Sequence, residues 1–240
     1  PTTGATEKTD LLRAVKAELG DQVKLIAGAG SYDTAESVEL AQASIAAGAD
    51  SLLVVTPYYS RPNQEGVYQH FRTVADAVDK PICLYDIPSR SVVPIESATI
   101  RRLAEHPNIQ AVKDAKGDLG AALELQQTTD LAWYSGDDPL NLAFLASGAT
   151  GMISVIGHLA ADKLKAMRDA FDKGDLAEAR RIAVSLVPLQ RAQQRLGGVA
   201  MVKSALKLRG MDIGSPRLPI TEPTEAELHD LENDLQEAGV

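Results

Sequence analysis

Lys113 is the residue whose chemistry most needs explaining. It stands in Ile109-Gln110-Ala111-Val112-Lys113-Asp114-Ala115, a short run that reads as a strand, and alternation places it on the side of Ile109 and Ala111 near the carboxyl end. A lysine buried there loses hydration, which favours the neutral amine and lets it attack a carbonyl carbon. Pairing with a carboxylate such as Asp137 is the other use of a lysine at this place. Tyr85 and Arg90 close the preceding run, in Leu84-Tyr85-Asp86-Ile87-Pro88-Ser89-Arg90. A phenol relays protons to a nearby imine, and a guanidinium grips a carboxylate through two parallel bonds. Taken singly, Tyr85 fits a core aromatic and Arg90 a solvated loop charge; beside a strand-end lysine they read as a site. In Thr56-Pro57-Tyr58-Tyr59 two adjacent tyrosines point in different directions, so at most one faces a pocket of its own chain and the other can reach a partner subunit. An aromatic pair packed at an interface explains them equally well.

Other polar clusters read as structural. Ser135-Gly136-Asp137-Asp138-Pro139 offers two carboxylates without a third acid or a histidine, so Asp138 is expected as a helix N-cap with Pro139 as the first helical residue, and no metal is assigned. The four histidines (His70, His106, His158, His229) are scattered without ligand spacing. Cys83, the single cysteine, excludes an internal disulfide and reads as a buried apolar filler; Trp133 reads as packing.

These residues lie on a repeating scaffold. Six short apolar runs read as buried strands: those from Gln22 (QVKLIAGAG), Ser51 (SLLVVTP), Pro81 (PICLYDIP), Ile109 (IQAVKDA), Leu131 (LAWYSG) and Thr150 (TGMISVI). Amphipathic stretches separate them, with start signals at Asp33, at Asn63 and at Pro94-Ile95-Glu96, and a stop at Gly48. Strand starts recur every ~20 to 30 residues, the length of one βα unit, so the strands should be parallel and covered by helices. Ala27-Gly28-Ala29-Gly30-Ser31 lacks the third glycine of a dinucleotide fingerprint, which favours a (β/α)8 barrel over an open doubly wound sheet. From about position 160 to 195 the pattern is helical with a break at Gly174, followed by helices near 199–208 and from Thr224 to Gly239. The expected organisation is a barrel region over 1–175 and a helical region over 176–240. A helix from Lys8 to Leu19 precedes the first strand, and six strands are two fewer than a closed barrel needs. The expectation is that the first βαβ portion, about 50 residues, is absent from this chain.

Composition narrows the function classes. A net charge of −9, no block of Lys or Arg, and 4% aromatic residues argue against a nucleic-acid groove or an anionic membrane surface. No apolar run approaches the roughly 18 residues that span a bilayer, and the first residues have no secretion-signal pattern, so a cytoplasmic small-molecule enzyme is expected.

TPYY followed by QEGVYQHF, then LYDIPSR, AVKDAKGDL, SGDD and GMISV, in this order and spacing, resembles the dihydrodipicolinate synthase family, the pyruvate-dependent class I aldolases that also include N-acetylneuraminate lyase. The resemblance covers essentially the whole chain. It implies a TIM barrel with a C-terminal helical extension and Schiff-base chemistry with no cofactor beyond a covalent imine of pyruvate on Lys113. Tyr85 matches the tyrosine that relays protons, and Tyr59 the one that crosses a tight-dimer interface into the neighbouring site. Arg90 matches the arginine that holds a substrate carboxylate, and Ile153 a residue whose backbone carbonyl faces the lysine. The implied reaction condenses pyruvate with L-aspartate 4-semialdehyde, the first committed step toward diaminopimelate and lysine. Arg90 distinguishes this reaction from that of the sialate lyases, which generally carry a small or apolar residue there.

The resemblance also implies L-lysine as a feedback inhibitor, bound at positions matching Glu36 and Tyr58, although Tyr32 stands where lysine-inhibited members often have asparagine. It implies a homotetramer of two tight dimers. Two departures stand out. The family's Thr-Thr-Gly-Glu segment, which binds the pyruvate carboxylate, would lie before Pro1. Ser91-Val92 stands where the family has a hydroxyl residue followed by glycine, so a positive φ there would strain Val92. Another pyruvate aldolase acting on a sugar acid or sialate, and a catalytically inactive scaffold lacking that segment, are the alternative readings.

Overall fold

The computed structural model describes residues 2–240. All six expected strands form: β1 (Ile26–Gly28), β2 (Ser51–Val55), β3 (Ile82–Asp86), β4 (Ile109–Asp114), β5 (Ala132–Ser135) and β6 (Gly151–Met152). They make one sheet in the order β1-β2-β3-β4-β5-β6, and the pairs from β1 through β4 are parallel. The strands are shorter than the apolar runs that announce them; β6 keeps two residues of its run. The helix α1 (Ala5–Leu19) precedes β1; sequential parallel neighbours follow from helical crossovers, which α2 (Thr34–Ala46), α3 (Gln64–Asp76), the single turn α4 (Pro88–Ser91) with α5 (Ser97–Ala104), and α6 (Leu119–Thr128) supply.

The helices start where their caps dictate. Asp33 Oδ1 accepts the Glu36 amide at 2.8 Å at the head of α2, and Asn63 Oδ1 accepts the Gly66 amide at 2.9 Å at the head of α3. Gly48, at φ 103°, turns the chain out of α2 as expected. The first helix begins at Ala5 rather than Lys8, because Glu7 reaches back to accept the Gly4 amide at 3.0 Å and supplies the cap itself.

Two compact units divide the described residues, one built from 3–134 with 147–150, the other from 135–146 with 151–240 together with Thr2. In the first, alternate strand residues are sealed: Leu52, Val54, Leu84 and Val112 are fully buried. By the two-residue period, their neighbours Leu53, Val55, Tyr85 and Lys113 point to the opposite face of the sheet. Asp86 and Asp114 share the face of Leu84 and Val112.

The second unit carries a 3-10 turn at Asp138–Leu140 and then α7 (Asn141–Ala146), α8 (Gly157–Asp172), α9 (Leu176–Ser185), α10 (Val187–Leu196), α11 (Gly198–Leu208) and α12 (Glu225–Ala238). Its core joins Ile156, Leu164, Met167, Leu189, Met201 and Leu231. The expected break at Gly174 is present, and a second break falls at Leu186, where Pro188 in the first turn of α10 restarts the helix. The last helix opens on a capping box between Thr224 and Glu227 and ends at Gly239 in the left-handed conformation, as its sequence signals.

Asp138 corrects an expectation. Asp137, not Asp138, is the residue before the turn, and the Asp138 carboxylate caps no amide of its own turn. Instead it accepts the amides of Val155 at 2.9 Å and Ile156 at 3.2 Å, the Ser154 hydroxyl, and Asn141 Nδ2 at 3.0 Å. A carboxylate 4% exposed finds more donors at the head of α8 than in a three-residue turn, and the exchange fixes the segment after Ile153. No helix is long and apolar enough to cross a membrane among the described residues.

Candidate active site

Tyr85 and Lys113 are partners in the register of β3 and β4, so the sheet itself brings the phenol and the amine together. Nζ of Lys113 lies 4.1 Å from the centroid of the Tyr85 ring. Lys113 is 8% exposed, which for a lysine means that the whole stem is buried. Burial pushes the Tyr85 phenol above its ordinary range, with the Arg90 charge pulling the other way, so the ring holds its proton at neutral pH. The Tyr85 carbonyl is tied from β2, accepting the Thr56 amide and the Thr56 hydroxyl, each at 3.1 Å.

Beside this pair opens a cavity of about 690 Å³, lined by Gly30, Glu36, Tyr58, Tyr85 and Arg90 among others. Gly30 makes room for the sheet at its floor: a Cβ there would meet the Val55 amide nitrogen at 2.5 Å. Tyr58 packs edge-on against Tyr32 with centroids 5.5 Å apart, and the Ser31 hydroxyl donates to Glu36. The tyrosine pair divides as its adjacency implies. Tyr58 lines the cavity, whereas Tyr59 is 89% exposed at a positive φ of 70°. Ile153 belongs to the second unit, where its amide donates to Ser135 O at 2.8 Å. Among the described residues no group of three or more His, Cys, Asp or Glu is placed to hold a metal ion.

A layer beneath the site has no signal of its own in the sequence. Asp86 and Asp114, one position beyond Tyr85 and Lys113, face each other in the register with 1% exposure apiece. Asp114 Oδ1 accepts the amides of Lys116 (2.9 Å) and Gly117 (3.0 Å), and its Oδ2 accepts Trp133 Nε1 at 3.3 Å. Asp86 Oδ1 accepts the Ile95 amide at 3.1 Å, while Oδ2 lies 3.5 Å from Lys116 Nζ. Burial pushes the Asp86 carboxyl up to about 6; Lys116 and the Ile95 amide oppose this and the Asp114 charge adds to it. The acid after each strand-end residue, in LYDIP and in VKDAK, was the available clue, and only the strand register turns two acids into a pair. Cys83 is buried, and loss of hydration pushes its thiol up to about 12, as befits a filler.

The fold is that of an α/β protein with a parallel sheet, and at the carboxyl edge of that sheet a buried lysine lies against a tyrosine ring beside an arginine-lined cavity, an arrangement chemically suited to carbonyl chemistry at an amine. The chain belongs to the dihydrodipicolinate synthetase family, whose model matches residues 1–238. It is 72% identical over 240 residues to the 4-hydroxy-tetrahydrodipicolinate synthase of Corynebacterium jeikeium, and equally so to that of Corynebacterium urealyticum, covering all of this chain and 80% of each relative. Among solved structures it is similar to the family member from Cyanidioschyzon merolae with lysine bound, at 37% identity and a TM-score of 0.96, over 99% of this chain and 82% of that one.

Proposed function

We propose that this chain condenses pyruvate with L-aspartate 4-semialdehyde to give 4-hydroxy-tetrahydrodipicolinate, through an imine on Lys113. The observation that carries the reading is the placement of Lys113 Nζ 4.1 Å from the Tyr85 ring at the ends of paired strands. The Lys113 amine adds to the pyruvate ketone carbon and water leaves. The protonated imine draws electrons from the adjacent methyl group, which loses a proton, and Tyr85 carries protons to and from the adduct. The resulting enamine carbon attacks the aldehyde carbon, whose oxygen takes up a proton. The amine of the second substrate then attacks the imine carbon, closing the ring and releasing Lys113. Arg90, at the cavity, holds the carboxylate of the aldehyde substrate.

Tyr59, exposed and held at positive φ, fits a residue supplied to the neighbouring subunit of a tight dimer, with a tetramer of two dimers as the working assembly. Glu36 and Tyr58, in the wall of the same cavity, are the proposed contacts for L-lysine as an inhibitor. The six strands found, together with the 80% share of the relatives' length, support an eight-stranded barrel of which two strands lie outside this sequence. Pyruvate consumption that depends on L-aspartate 4-semialdehyde, and not on N-acetylmannosamine, tests the assignment. Turnover with the sugar alone would replace it with a sialate-lyase reading.

A further inference from the structure

The loop that carries Arg90 leaves β3 at Asp86 and returns against the same residue. Pro88–Ser91 form one helical turn, after which the chain reverses at Val92, whose φ of 68° is a conformation that a β-branched residue adopts only under constraint. Bonds at both ends supply that constraint. The single proton of the Ser91 hydroxyl is shared between Ile87 O (2.9 Å) and Val93 O (3.0 Å), and the Val92 amide donates to Pro88 O at 2.9 Å. At the far end Ile95, fully buried, donates its amide to Asp86 Oδ1, and Gln64 Nε2 donates to Pro94 O at 2.9 Å. Asp86 is itself fixed from the next strand through Lys116, whose backbone is held by Asp114. The chain of contacts therefore runs from the strand of the lysine to the loop of the arginine, on the face of the sheet opposite both side chains.

We propose that Asp86 is a positioning residue: by clasping the Ile95 amide it closes the 87–94 loop, forces Val92 into its left-handed turn and so holds Arg90 at the distance from Lys113 that the second substrate requires. This rests on the proposed condensation, because it assigns Arg90 to the aldehyde's carboxylate. Asp86 touches neither substrate, so its loss should leave the pyruvate half-reaction intact and weaken use of the aldehyde.

Full-length Asp86→Ala, Asp86→Asn and Lys116→Met variants separate the possibilities. The asparagine keeps an oxygen that accepts from Ile95, and the methionine removes the charge that steadies Asp86 without opening the core. The expected result is a KM for L-aspartate 4-semialdehyde raised about tenfold or more in Asp86→Ala and about threefold in Lys116→Met, with borohydride trapping of pyruvate on Lys113 at the wild-type rate in both. Asp86→Asn should return KM to within about threefold of wild type. If the alanine variant does not fold, Lys116→Met decides. An unchanged aldehyde KM in the variants that fold, or an equal loss of pyruvate trapping, overturns the positioning role while leaving the condensation standing. Absence of trapping in the wild-type protein would instead remove the functional reading beneath it.

Discussion

Tyr85 and Asp86 are adjacent in the chain and opposite in task, and the two-residue period of a strand is the reason. Tyr85 meets Lys113 on one face, while Asp86 meets Lys116 and Ile95 on the other. Tyr85→Phe keeps the ring over Nζ and removes the proposed proton carrier, so kcat should fall by about 10² to 10³ while imine trapping persists, which steady-state rates beside a trapping assay would show. Two buried groups contribute to the pH dependence of stability with opposite signs. Asp86 titrates near 6 in the fold against 3.8 for the ordinary group, so the folded chain binds its proton more tightly and stability falls as pH rises from about 4 to about 6. His70, 3% exposed with Nδ1 2.9 Å from the Thr34 hydroxyl, is driven by burial down to about 4 from 6.5. There the unfolded chain binds the extra proton, and stability falls as pH drops from about 6.5 toward 4. Asp86→Asn removes the first slope, so its melting temperature should climb more steeply than wild type between pH 4 and 6. Parallel curves would show that Asp86 does not titrate in that window.

At the scale of the element, the loops after β1 and β3 hold the constraints. Gly30→Ala places a methyl group against the Val55 backbone, which cannot step aside as a flexible side chain would, and β2 must shift beneath the cavity. The expected outcome is a loss of ~2 kcal/mol or more in denaturant unfolding, with reduced turnover. Val92→Gly releases a strained φ and should stabilise the protein by about 1 kcal/mol, read as a higher unfolding midpoint. A lower midpoint would mean that the Val92 side chain contributes packing that outweighs its backbone cost. These elements also mark how far sequence reasoning reaches. Asp33, Asn63 and Thr224 cap helices through bonds within one turn, so their types and spacing suffice to place them. The strain at Val92 was legible because a valine stood where the resembled family has glycine. Asp138 departs from its expected cap because three of its four donors lie 16 to 18 residues downstream, and the Asp86–Asp114 pairing has no local signal because it exists only in the register of two strands. Local codes are readable from a single chain; pairings made by the fold are not.

At the scale of the whole molecule, Tyr59 is the most exposed large aromatic of the site region, and its proposed place is in a neighbour's active site. Tyr59→Ala should weaken self-association and activity together, seen as a concentration-dependent shift toward monomer in sedimentation, whereas a fully active, unshifted variant would remove Tyr59 from the interface. One cavity is lined by Glu36, Tyr58, Tyr85 and Arg90, so the contacts proposed for an inhibitor and for a substrate share one continuous space. The measurement closest to the central claim is mass spectrometry of the protein after incubation with pyruvate and borohydride, followed by peptide mapping. One reduced pyruvyl adduct per chain is expected, on Lys113, and none in a Lys113→Ala variant; an adduct on another lysine, or none on the wild-type protein, would contradict the assignment of Lys113.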